Sequence, residues 1–121
     1  MITLPLKEKK FVVVADAHSH EPLEIFFADG LPDLHSEIFA VAQKQWAAKG
    51  VETVCAGGGR FCVIENFLVF YDRSLKYHRF DSAVVEALSK KHPAFRNKGY
   101  RVISDTRYTN PLELFNQRRT R

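Results

Sequence analysis

Residues 11–15 (FVVVA) are apolar without interruption and carry three valines, the signature of a buried strand. Residues 23–27 (LEIFF) form a second short strand, and residues 28–32 (ADGLP) have the composition of a turn. Further along, residues 51–56 (VETVCA) read as a strand that ends at three consecutive glycines. Residues 60–65 and 67–71 then read as a hairpin around Asn66, and residues 100–104 supply a last strand.

Between these runs the period changes to that of a helix. Asp33 has the chemistry of an N-cap, since its carboxylate can accept from the first-turn amides, and the helix is predicted over about 34–49. Leu34, Ile38, Val41 and Ala42 give it one apolar face, and His35, Phe39, Ala42 and Trp46 mark the adjacent one. Gly50 fits the left-handed position that closes a helix. Asp81 caps a second helix to about residue 91, with Val84, Val85 and Leu88 toward the core and Pro93 as the stop. Residues 110–115 have the pattern of one more helical turn.

The pattern predicts an α+β fold over residues 1–121. About six strands form a mixed or mostly antiparallel sheet, with two main helices packed on it, one on each face or both on one. No repeat, low-complexity tract or linker divides the chain, so a single domain is expected.

Composition narrows the class. With 45% hydrophobic and 26% charged residues in 121, the chain can bury a core without disulfides or a structural metal. The first ten residues contain no apolar signal core, and no apolar run approaches the roughly 18 residues of a membrane span. A cytoplasmic protein off the membrane is therefore expected, with Cys55 and Cys62 as reduced thiols. Net charge is +4 and the pI about 9.2, which suits an anionic partner without naming one. Part of the excess is Arg118, Arg119 and Arg121, which read as a solvated end. The aromatic residues follow strand patterns rather than marking base-stacking platforms, which argues against nucleic acid. No heptad or long apolar edge is present, so a monomer is expected.

Three places carry candidate chemistry. His35 falls in the first turn of the predicted helix, where amides and dipole favour anions and the neutral imidazole. By position alone it reads more commonly as a polar side chain turned to water. Gly57, Gly58 and Gly59 allow close approach of a ligand or another chain segment, and Arg60 directly after them can grip phosphate oxygens. The plainer reading there is a β-bulge or tight bend with an incidental arginine. The third place is the basic loop 72–80 (DRSLKYHRF), whose amides and serine can hold a phosphate, or which is simply solvated. The Gly57-Gly58-Gly59-Arg60 run is neither a P-loop nor a Rossmann turn. His18, His20, Cys55 and Cys62 lack the spacing of a metal-ligand set, so no metal is expected.

Taken together, these pieces resemble the small phosphohistidine phosphatase family, the Janus/Ocnus group. The segment KFVVVADAHS at 10–19 is similar to the family's first strand. Glu24-Ile25, then Leu34-His35-Ser36-Glu37-Ile38-Phe39, resembles its Glu-Ile and Tyr-His-Ala-Asp-Ile-Tyr. Cys55-Ala56-Gly57-Gly58-Gly59-Arg60 resembles Cys-Leu-Gly-Gly-Gly-Arg, and Ser74-Leu75-Lys76-Tyr77 resembles Ser-Met-Ala-Tyr. Lys90-Lys91-His92-Pro93 is similar to the family's ending of the second helix. The Gly-Gly-Gly-Arg with its upstream histidine is the specific part.

The resemblance implies metal-independent, cofactor-free hydrolysis of P–N bonds in a phosphohistidine-containing protein or a small phosphoramide. It makes His35 the nucleophile or general base, and Lys10, Arg60, Ser74, Leu75 and Lys76 the phosphate-binding residues. The alternative is a non-catalytic module that binds phosphate or phosphohistidine. The chain departs from the family at His78, where the family has glycine, and at Phe27, where characterised members have arginine. It departs also at Pro32-Asp33-Leu34, which replaces aromatic residues, and in a divergent basic extension over about 106–121. These differences bear on substrate identity more than on phosphate binding.

Overall fold

The computed structural model describes residues 8–27, 34–64, 67–72, 80–95, 100–103 and 111. In chain order the elements are β1 (Lys9–Asp16), β2 (Pro22–Phe26), α1 (His35–Ala47), β3 (Thr53–Ile64), β4 (Phe67–Tyr71), α2 (Ser82–Lys91) and β5 (Tyr100–Ile103). The strands form one sheet in the order β2-β1-β3-β4-β5. The first three pairings are antiparallel and β4 runs parallel to β5, so the mixed, mostly antiparallel sheet is as expected.

Among the described residues there are five strands rather than six, because the runs 51–56 and 60–65 are one strand, β3. The glycines do not end it. Val12 faces Gly58 and Val14 faces Cys55, so Val13 alone spans Ala56 and Gly57. That is a β-bulge, and Gly57 adopts φ +120° to make it, a conformation costly for other residues. Pairing with β1 resumes beyond it at Gly58, Gly59 and Arg60.

One helix covers each face. Along β1, Phe11 and Val13 point to one side and join Phe61, Phe70, Val85 and Leu88 under α2. Val12 and Val14 point to the other and join Ile38, Phe39 and Ala42 of α1. This two-sided burial explains why residues 11–15 of β1 are apolar without interruption instead of alternating. Phe11 is fully buried at the centre of an aromatic group, with ring centroids of Phe70 and Phe80 at 5.5 and 5.3 Å. Such packing contributes beyond simple area burial.

The helix ends differ in part from expectation. α2 is capped as predicted: the Asp81 carboxylate accepts from the amides of Ala83 and Val84 at 2.9 and 3.3 Å. α1 has Leu34, not Asp33, at its N-cap position, with no side-chain cap. Asp33 itself lies outside the described residues. At the other end Gly50 takes φ +81° after Ala47, as the left-handed closing position requires. Residues 110 and 112–115 of the further predicted turn lie outside the described residues.

Candidate functional site

Of the two faces predicted for α1, the one through His35, Phe39, Ala42 and Trp46 turns to the sheet. Phe39 and Ala42 are buried with Ile38, whereas Leu34 is 55% exposed. A residue one turn before Ile38 and Phe39 on that face is carried against the sheet, and His35 is that residue. Its Nε2 lies 2.9 Å from the carbonyl oxygen of Gly59, and the side chain is half-buried. A carbonyl oxygen only accepts, so Nε2 carries the proton and the lone pair of the neutral ring is on Nδ1. The water-facing reading of His35 is therefore overturned.

The third glycine is dictated by packing. A Cβ at Gly59 would lie 2.7 Å from the Tyr71 carbonyl oxygen and 2.9 Å from the Phe80 ring. All three glycines are buried. At Gly59 the close approach that glycine permits is taken by the chain's own β4 and Phe80, and the backbone oxygen of the same residue holds His35.

Strand register places the cations. Lys10 faces Arg60 across β1 and β3, and Arg60 faces Tyr71 across β3 and β4. Lys10, Arg60 and Tyr71 thus form one row on the α1 face, beside the strand position that bears His35's anchor. Phe11, next in sequence, belongs wholly to the opposite core, so of these two neighbours only Lys10 shares the face of Arg60.

Arg60 is engaged by two carboxylates. Its Nε lies 3.4 Å from Asp72 Oδ2, and its Nη1 lies 3.7 Å from Glu8 Oε1. The Tyr71 hydroxyl donates to Glu8 Oε2. Burial first, then the bond to Glu8, pushes the Tyr71 phenol well above its ordinary range, so it stays protonated. Sequence reading did not single out Glu8, Tyr71 or Asp72. The hairpin pairs Ile64 with Phe67, so counting outward from residues 65–66 puts Tyr71 opposite Arg60. That signal was available; Glu8 and Asp72 had none.

Ser74, Leu75 and Lys76 lie outside the described residues. The described ends of their segment are Asp72, on the Arg60 guanidinium, and Phe80, against Gly59.

The remaining candidates have structural surroundings. His18 Nε2 is 3.1 Å from Glu52 on the surface. Cys55 donates to the Gly57 carbonyl at 3.3 Å, and burial pushes it and Cys62 up to about 11. Among the described residues no three such side chains are grouped as metal ligands. Phe27 joins the aromatic core, with ring centroids of Phe61, Phe95 and His92 at 4.6, 5.4 and 5.4 Å. No helix among the described residues is long and apolar enough to cross a membrane.

No family model matches the chain, and neither does any curated protein.

Proposed function

We propose that the chain is a metal-independent phosphohydrolase of P–N bonds, acting on a phosphohistidine-containing protein or a small phosphoramide. The observation that carries this reading is the arrangement around His35. The Gly59 carbonyl orients its imidazole, and the cross-strand pair Lys10 and Arg60 shares its sheet face. Phosphoryl transfer needs positioning and charge stabilisation above all. Here a fixed ring supplies the position and two cations supply the charge.

In the first route, His35 Nδ1 attacks phosphorus and the P–N bond breaks. The leaving nitrogen takes up a proton, and water then cleaves the new phosphohistidine to orthophosphate and free His35. In the second, His35 removes a proton from water as the water attacks phosphorus, the P–N bond breaks, and the leaving nitrogen takes up that proton. Lys10 and Arg60 neutralise the phosphoryl oxygens in both. Ser74, Leu75 and Lys76 enter as further phosphate ligands through the family resemblance alone. The same reading takes the protein to work as a cytoplasmic monomer.

The test is phosphate release from a phosphohistidine peptide and from phosphoramidate, with EDTA present. Wild type is expected to turn over, and His35→Ala to lose about 10²–10⁴-fold. Rapid quench separates the routes, since only the first labels His35. Binding of the peptide without turnover would make the chain a phosphohistidine-binding module instead. The engagement of Arg60 by Asp72 and Glu8 is the observation that favours that second reading.

A further inference from the structure

Glu8 makes an arrangement that a structural ion pair does not need. One carboxylate spans the Tyr71 hydroxyl, through Oε2, and the Arg60 guanidinium, through Oε1. A hydroxyl donor beside a guanidinium is also what a phosphoryl group requires of its site. We propose that Arg60 and Tyr71 form a subsite for phosphoryl oxygens, and that the Glu8 carboxylate sits where those oxygens bind and gives way to them. This rests on the phosphohydrolase reading and adds to it a second donor and an internal competitor.

The two carboxylates on Arg60 are unequal. Asp72 is only 13% exposed and approaches Nε, the inner edge of the guanidinium, at 3.4 Å. It fixes the direction in which the group points. Glu8 is 49% exposed and stands 3.7 Å from Nη1, beyond hydrogen-bond reach. An exposed contact of that length is screened by water and weak. The Glu8 side of Arg60 is therefore the exchangeable one, and it lies in the row that Lys10 completes.

Tyr71 supplies the other half. The residue is 1% exposed, so its hydroxyl must keep an acceptor. A phosphoryl oxygen replaces the Glu8 oxygen like for like and leaves no buried donor unpaired. A carboxylate and a phosphoryl group are both oxyanions, so the exchange keeps an anionic acceptor opposite Arg60.

The experiment is titration with inorganic phosphate, read by calorimetry, on the full chain. Glu8→Gln keeps an acceptor for Tyr71 and removes the competing charge. It is expected to tighten phosphate binding about three-fold. Tyr71→Phe is expected to weaken binding about ten-fold, in wild type and in the Glu8→Gln background alike. Glu86→Gln removes a charge that pairs with Lys90 on the exposed side of α2, and is expected to leave binding unchanged. Weaker or unchanged binding in Glu8→Gln would overturn the proposal and make Glu8 a clamp on Arg60. An equal gain in Glu86→Gln would also overturn it, since net charge alone would then account for the effect. This phosphate pattern without phosphohistidine turnover would leave the subsite standing and remove the hydrolase reading. Turnover without the pattern would do the reverse.

Discussion

At Gly59 an added Cβ has no room, whereas at Gly50 it would meet nothing within 4 Å. The two glycines are therefore kept for different reasons, and substitution separates them. Gly59→Ala forces the Tyr71 carbonyl and the Phe80 ring apart and is expected to cost about 3 kcal/mol. Gly50→Ala has only its φ of +81° to strain, and is expected to cost about 1 kcal/mol. Urea unfolding of the two variants checks the ranking. Gly59→Ala should also lower turnover, because the strain falls on the residue whose own carbonyl holds His35. At this scale the triple glycine was legible as a place of close approach. What approaches was not, because Phe80 is 21 residues away and reaches Gly59 only when α2 docks.

At the level of the element, the helix starts give a matched pair of expectations. Asp81→Ala removes two amide bonds and should cost about 1 kcal/mol. Leu34→Ser places a capping hydroxyl where an exposed leucine now stands, and should gain about 0.5–1 kcal/mol. Shifts of opposite sign in the urea midpoint would bear both out; no gain in Leu34→Ser would mean that the first-turn amides are already satisfied. Asp33 was a sound capping residue by chemistry alone. The start at His35 instead coincides with its contact to Gly59, a long-range bond that local propensity does not contain. The same limit applies to β3. Local composition marks three glycines as a break, but cross-strand bonds to β1 on both sides of the bulge hold the strand through them.

For the whole molecule, the buried titratable groups predict a stability plateau. Burial raises Cys55 and Cys62 from 9.0 to about 11, and it raises Tyr71 also. Between about pH 9 and 11 the unfolded chain has lost thiol protons that the folded one keeps, so stability falls as pH rises. His92 runs the other way. Burial lowers it from 6.5, with Glu24 acting in opposition, so its contribution is lost as pH falls below about 6.5. Urea midpoints should be flat between about pH 7 and 9 and decline on either side. Cys55→Ala should flatten the alkaline limb.

The amino-acid sequence by itself determined the α+β class, the positions of both helices, the presence of the hairpin and the identity of His35 and Arg60 as candidates. Each of these follows from period, capping chemistry, turn residues or motif, which act over a few neighbouring positions. Only the tertiary structure decided that the helices lie on opposite faces and that β3 runs unbroken. It alone set the Gly59 carbonyl against His35, and Glu8, Asp72 and Tyr71 around Arg60. Those outcomes depend on which strands pair and which faces dock. The free energy that selects them is apolar burial shared among segments far apart in the chain, and no local window of sequence holds it.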